Sequence, residues 1–564
     1  MTNPNSSRTM TIFCLALFAL APVFSPSLRA QNPVAQAEAP PSATPSSATQ
    51  TSPRLADHPA TPAAPASLSP LAQAQLLFRQ EDYGAAITQY QAAIQATPAD
   101  AATAHAGLAR VYLAQLKMPE ALASASEAVK LSPALSAGHT ALADIYFRQG
   151  KIADAEREYL IPIRSGVADA RAYYGLSEIA RFTSSTKRAK RMIDKAYALD
   201  PADMQIFHEW VETLDLAERA KVLRQRLASA QPDSANDRDS MKFISDVFDA
   251  EAKQPNHACH LVNKAPTVIT LERLMLNPTQ FRGFALIAKV NGASSKLLLD
   301  TGATGIVVSS KIAEKAGVHR VADRPIGGIG DKGAADGYIA YADSIKVGDL
   351  EFQGCFIDVI DKKRSIGEDG LIGADVFQSF LVDIDFPDEK LKLSDLPVPP
   401  GQDPAEAAVE TSLNPVLSLH DRYVAPEMKD YERIFRSGHD LLINTYVNTT
   451  TPRLFLIDTG SYDNLLSTNV AREYTRVHTD EDSIIKGVSG RVKNVYVADK
   501  VKIAFAHFMQ DNEDVTAFDL TGISNDSGVE VSGLLGFSLL WLLDITIDYR
   551  DGLMNFTHDP NRLR

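Results

Sequence analysis

Apolar and polar residues are arranged in three different ways along this chain of 564 residues, and each arrangement predicts a different kind of element. An apolar stretch from Met10 to Phe24 comes first. Residues 31–67 follow, made mostly of Ala, Pro, Ser, Thr and Gln; that composition buries too little apolar surface to fold and reads as a disordered tether. From Leu68 the pattern is alanine-rich and helical, with a period near 34. Ala86, Ala121, Ala155 and Ala189 hold one place in that period, Leu108, Leu142 and Leu176 a second, and Tyr112 and Tyr146 a third. Pro98, Pro133 and Pro201 close repeats, with Val167 at the missing beat. Small residues at a fixed place let two antiparallel helices approach, and the large ones fill the gap beside them. The reading is four repeats to about residue 201 and a helical cap over 202–230, so that 68–230 forms one helical solenoid and 231–280 a connecting segment.

Beyond residue 280 the helical period gives way to short apolar runs typical of buried strands. Two of them, Leu297-Leu298-Leu299 and Leu454-Phe455-Leu456-Ile457, end in the same tripeptide, Asp300-Thr301-Gly302 and Asp458-Thr459-Gly460. The surroundings repeat as well. Val290-Asn291 and Val447-Asn448 precede the motif and suit hairpin turns. Gly328 and Gly487 follow their aspartates by 28 and 29 residues. Further on, Gly370-Leu371-Ile372-Gly373 answers Gly533-Leu534-Leu535-Gly536, and Leu381-Val382-Asp383-Ile384 answers Leu542-Leu543-Asp544-Ile545. One unit is written twice, over 281–395 and 431–564, with 396–430 as the linker.

These motifs resemble the aspartic proteases, in particular the retropepsin-like family, and the helical part resembles the tetratricopeptide repeat. Pro162 and Ala180 depart from the repeat pattern, the first standing where a small residue is expected and the second where an aromatic is. The resemblance implies a multidomain α plus β chain: an N-terminal α-helical solenoid followed by a bilobal all-β, retropepsin-like domain pair. It implies an aspartic-type endopeptidase with Asp300 and Asp458 as the catalytic pair. Thr301, Gly302, Thr459 and Gly460 would support the active-site loops, with Gly373 and Gly536 packing beneath the aspartates. Gly328 and Gly330, and Gly487 and Gly490, would form flaps over bound peptide. Two carboxylates about 3 Å apart hold one proton between them, so that one acts as base and the other as acid. Pairing of lobes between two chains and a non-catalytic peptide-binding adaptor are the alternatives. The solenoid offers either a concave surface for a protein partner or a packing platform for the lobes.

Composition narrows the picture further. A net charge of −14 with no basic stripe argues against nucleic acid as a partner. The run to Phe24, behind Arg8 and before Ser25-Pro26-Ser27-Leu28-Arg29-Ala30, reads as a signal peptide within residues 1–30 and is too short to span a bilayer. Export to a periplasmic or extracellular space is expected, with an uncleaved membrane tether as the alternative; Cys14 lacks the small preceding residue of a lipoprotein cysteine. Cys259 and Cys355 then remain, as one disulfide or as two buried thiols. His257-Ala258-Cys259-His260 is too crowded for a tetrahedral metal site, and no metal or cofactor is expected. Gly328-Ile329-Gly330-Asp331-Lys332-Gly333 matches the glycine pattern of a dinucleotide loop, but no buried strand precedes it, so a flexible hairpin over a cleft is the better reading.

Overall fold

The computed structural model describes residues 11–13, 68–231, 233–255, 259–277, 280–360, 369–400, 422–480 and 484–561. The expected tether and most of the expected signal segment and linker lie outside them. Four helix pairs build the solenoid: α1 (Pro70–Arg79) with α2 (Tyr83–Ala96), α3 (Ala101–Ala114) with α4 (Met118–Leu131), α5 (Ser136–Arg148) with α6 (Ile152–Arg164), and α7 (Ala170–Phe182) with α8 (Thr186–Leu199). Ala86, Ala121 and Ala155 have no exposed surface, as their place at the helix crossings requires. Pro162 lies inside α6, in its last turn, where its missing N–H withdraws one i→i−4 bond from the helix.

The helical part runs farther than the sequence pattern suggested. After α9 (Met204–Val211) and α10 (Leu216–Ala228), a helix α11 (Ala235–Glu251) occupies the expected connecting segment. Ser234 caps it by accepting from the Asp237 amide, and Met241 and Phe248 fill the last solenoid core. Those two anchors stand among Asn, Asp, Arg and Lys, which hid the period.

Each β lobe is organised around one hydrogen-bonded arrangement. Strand Ala293–Asp300 pairs antiparallel with Gln280–Val290 and parallel with Gly370–Gly373, bringing Gly373 opposite Asp300. Strand Pro452–Asp458 pairs in the same way with Asp440–Val447 and Gly533–Gly536, bringing Gly536 opposite Asp458. Asn291 and Asn448 take positive φ, 44° and 49°, at the turns before the motif strands. The lobes meet in one sheet, where Leu381–Asp385 lies antiparallel to Asp544–Asp548 with Val382 opposite Ile547 and Ile384 opposite Ile545. Strands Lys390–Ser394 and Leu553–Thr557 flank that pair. All four aliphatic side chains are buried and belong to a core that runs through both lobes.

The solenoid is packed against the second lobe. Phe182, at the end of α7, stacks on Phe435 with ring centroids 5.2 Å apart, and Phe147 of α5 meets Phe182 edge-on at 5.6 Å. Arg148 donates 2.5 Å to the Ser524 carbonyl and 2.6 Å to Asn525 Oδ1, capping the C-terminal end of helix Thr521–Asp526. Its own carbonyl accepts from the Glu530 amide at 2.7 Å. A cation on exposed carbonyls at a helix C-terminus is favourable both as a hydrogen bond and against the helix dipole. Cys259 and Cys355 are joined by a disulfide that fastens the chain entering the first lobe to strand Leu350–Ile360. Among the described residues no helix is long and apolar enough to cross a membrane.

Two outcomes are expected. Phe182→Ala should destabilise the solenoid's seat by about 3–5 kcal/mol, read as a lower melting temperature and as new protease-sensitive sites in α5–α8; an unchanged melt would show the stacked rings to be unimportant. Reducing the Cys259–Cys355 bond should cost about 2–4 kcal/mol, and a Cys259→Ser variant should melt at the reduced protein's temperature.

Candidate active site

Asp300 and Asp458 end their strands with no exposed surface, on loops contributed by opposite lobes. The threonines between them interlock. The Thr301 amide donates to Thr459 Oγ1 at 3.0 Å and the Thr459 amide to Thr301 Oγ1 at 3.0 Å. Each hydroxyl then donates to the carbonyl before the other lobe's aspartate, Thr301 Oγ1 to Ile457 O at 2.8 Å and Thr459 Oγ1 to Leu299 O at 3.0 Å. Four cross-lobe bonds with pseudo-twofold symmetry fix the two loops against each other. Glycine follows because the loops touch: a β-carbon on Gly302 would lie 2.8 Å from Asp458 Oδ1, and one on Gly460 would overlap Asp300 Oδ2.

The carboxyls lie side by side, each against the glycine that follows the other, and each bears on the other's protonation. Asp300 Oδ1 accepts from the Gly302 amide at 2.8 Å, while Asp458 Oδ1 accepts from Gly460 at 2.9 Å and from Ser461 at 3.0 Å. Among the described residues, no donor from the rest of the protein reaches either Oδ2. Burial raises both acids, Asp300 well above the usual range through burial and the neighbouring Asp458 charge, Asp458 less because two amides favour its charged form. The pair therefore keeps one proton into the neutral range, a property of both groups together.

The two glycine-bearing turns expected to serve as flaps meet tip to tip. The Ser489 amide donates to Ile329 O at 3.1 Å, the Lys332 amide to Ser489 O at 2.9 Å and the Asp331 amide to Arg491 O at 3.2 Å. Each tip puts an aliphatic side chain into apolar surface belonging chiefly to the other lobe, Ile329 beside Leu442 and Leu456, and Val488 beside Leu298 and Ile326. Gly330, at φ 136°, lies directly against the Ser489 backbone, an approach closed to any side chain. Gly328 leads into this tip; Gly487 and Gly490 flank the opposite one, paired across their hairpin. The Gly328–Gly333 stretch is thus a turn between strands, with no helix following it.

Three polar residues at the site were not singled out from sequence. Arg282, almost fully buried on the strand Gln280–Val290, donates to the Gly460 carbonyl of the other lobe at 3.2 Å, and its charge opposes the rise of both acids. Asp375 accepts from Thr304 Oγ1 at 2.8 Å and from the Gly305 amide at 3.0 Å, tying the loop after Asp300 to the turn after Gly373. Asn464 does the corresponding work in the second lobe, accepting from the Gly536 amide at 2.9 Å. An arginine inside an apolar strand was the available signal for Arg282.

The model of the aspartyl protease family matches residues 286–376, around Asp300, and that of the tetratricopeptide repeat matches 71–136 and 140–204. The chain carries an aspartyl protease domain and tetratricopeptide repeats. Among similar curated proteins is the DNA damage-inducible protein 1 of Chaetomium globosum, 26% identical over 205 residues, which make up 36% of this chain and 43% of that one. The protein of the same name from Neurospora crassa is 25% identical over 191 residues, covering 33% and 40%. The chain thus spans less than half the length of these relatives. A thermophilic TPR protein of Thermus thermophilus aligns at 21% identity over 31% of this chain and 96% of its own, with a TM-score of 0.27. The aspartyl protease domain lies behind the repeats, as an all-β region after an all-α one.

Titration of carboxyl carbons by NMR, with Asp300→Asn as the assignment control, is expected to show Asp458 losing its proton near the value of about 6 to which burial lifts it. Asp300 should stay protonated above that. Because both acids are raised, the pair costs the folded state least at low pH, and stability falls as pH rises from the unfolded value of 3.8 through about 6 for Asp458 and further for Asp300; two transitions near the ordinary carboxylate value would contradict the coupled pair.

Proposed function

We propose that the chain is an exported aspartic endopeptidase, with its dyad formed inside one molecule by Asp300 and Asp458. The observation that carries this reading is the adjacent pair of fully buried carboxyls held by the crossed threonines. In the proposed reaction the charged carboxylate, Asp458, takes a proton from a water held between the two. The hydroxide equivalent adds to the peptide carbonyl carbon, and Asp300 gives its proton to the carbonyl oxygen. The tetrahedral adduct then expels the amine as the proton now on Asp458 passes to the leaving nitrogen, and the remaining gem-diol proton restores Asp300. No metal or nucleophilic side chain enters.

An extended peptide would lie between the dyad and the flap tips, so the flaps must part to admit it. Gly330 and Gly490 give the tips their freedom to do so. The disulfide supports export, since such bonds persist in oxidising compartments. The packing of α5 and α7 on the second lobe supports a scaffolding role for the solenoid, with its remaining surface open to a protein partner.

Asp300→Asn and Asp458→Asn are each expected to lower peptide hydrolysis by about 10²–10⁴-fold while leaving the fold's melting profile intact. Retained activity in either variant would overturn the dyad. A dilution series read with light scattering separates the arrangements: constant specific activity supports a dyad within one chain, and loss on dilution supports pairing between chains. Specific peptide binding without cleavage from acid to neutral pH would instead favour the adaptor.

A further inference from the structure

The solenoid reaches the β region at a second place, on the other lobe. Its last helix, α11, packs along the strand His319–Asp323. That strand is the stem of the first flap: the Arg324 amide donates to Gly337 O at 3.1 Å, and Ile326 and Ala335 exchange backbone bonds of 2.9 and 2.8 Å before the loop runs out to Ile329. Glu251, the final residue of α11, is buried at this joint, and burial pushes its acid up to about 7 against the opposing pull of Arg324 of the stem and Arg219 of α10, with Asp358 of strand Leu350–Ile360 raising it further. Arg324 also lies 3.6 Å from Asp358 Oδ1. The end of α11 thus brings a buried acid to the place where helix, flap stem and the Arg324–Asp358 pair come together.

The tip of the same flap is connected to the solenoid as well. Ile329 is buried in an apolar cluster with Leu442, Leu454 and Ile485, and Phe182 of α7 belongs to that cluster. One helical body thus has a foothold at both ends of the flap. For the cleft to open, Ile329 must leave its cluster and the loop must pivot where the stem begins, between Arg324 and Gly337.

We propose that the solenoid sets the position of the first flap, α11 holding its stem through Glu251 and Arg324 while α7 helps to build the seat of its tip. Glu251 acts through Arg324 and is a positioning residue. A protein partner that alters the curvature of the repeats would thereby change access to the cleft. That the cleft cleaves peptides rests on the function proposed above; that the solenoid restrains the flap does not.

Hydrogen–deuterium exchange on the full chain at about pH 8, above the value of about 7 to which burial lifts Glu251, tests the restraint without any substrate. Glu251→Lys places a cation against Arg324 and Arg219, and Glu251→Gln removes the charge while keeping the shape. Asp246→Lys, on an exposed face of the same helix, is the control for charge. Amides of residues 326–335 are expected to exchange about tenfold faster in Glu251→Lys and by a smaller factor in Glu251→Gln, with the Asp246→Lys protein like the wild type and the inter-lobe strands protected in all. Wild-type exchange at the flap in a folded Glu251→Lys protein overturns the proposal, whether or not α11 itself loosens. So does an equal effect from Asp246→Lys. Should Glu251→Lys fail to fold, Glu251→Gln decides: faster flap exchange supports the restraint, and unchanged exchange refutes it. Peptide hydrolysis by wild-type protein is assayed separately, so a failed restraint and a failed protease are distinguishable.

Discussion

Everything at the centre of the molecule depends on the four hydrogen bonds that cross between Thr301 and Thr459. Two acids buried side by side repel when both are charged, and each loses its hydration; such a pair persists only where its surroundings hold it in place. The threonines do this by consuming the backbone groups that would otherwise let the loops drift. Neither loop is complete alone, because every one of these bonds has its donor in one lobe and its acceptor in the other. The glycines beneath, Gly373 and Gly536, and the polar ties through Asp375 and Asn464 extend the same support outward.

Duplication would give two equal halves, but the lobes differ where it matters electrostatically. Ala285 pairs with Leu298 and Leu442 with Leu456, each pairing two residues before an aspartate, so Arg282 and His439 occupy corresponding places. Arg282 donates to Gly460 of the opposite lobe, and His439 stands near enough to Asp375 of the opposite lobe to act on its charge. Arg282 brings a permanent charge, whereas burial pushes His439 down to about 4 and leaves it neutral at physiological pH. The extra Ser461 amide on Asp458 adds to the imbalance. A pair made of two identical chains has no fixed means of distinguishing its acids; a fused chain has at least these two.

Much of this was legible in the sequence because the same backbone constraints were written twice. A strand ending in Asp-Thr-Gly, then a strand ending in a second glycine, announces one loop packed upon another, and the period near 34 announces the repeats. Arg282 and Asp375 were missed because their partners are in another lobe or another turn, a matter of tertiary register that spacing does not encode. α11 escaped notice since its buried face is only Met241, Ser245, Phe248 and Glu251, two of them polar. The interlocked flaps were equally out of reach: their glycines signalled mobility, but which carbonyl of one tip meets which amide of the other is fixed by the lobes beneath.

The strand pair that joins the lobes carries a consequence for biosynthesis. Leu381–Asp385 waits for Asp544–Asp548, more than 150 residues later, before the sheet between the lobes can close. While the ribosome is still making the second lobe, Asp300 has no counterpart and Thr301 no partner. The first lobe must therefore spend that interval with a raw apolar edge, and the nascent chain cannot assemble its acid pair against neighbouring polypeptides until the whole molecule is nearly translated.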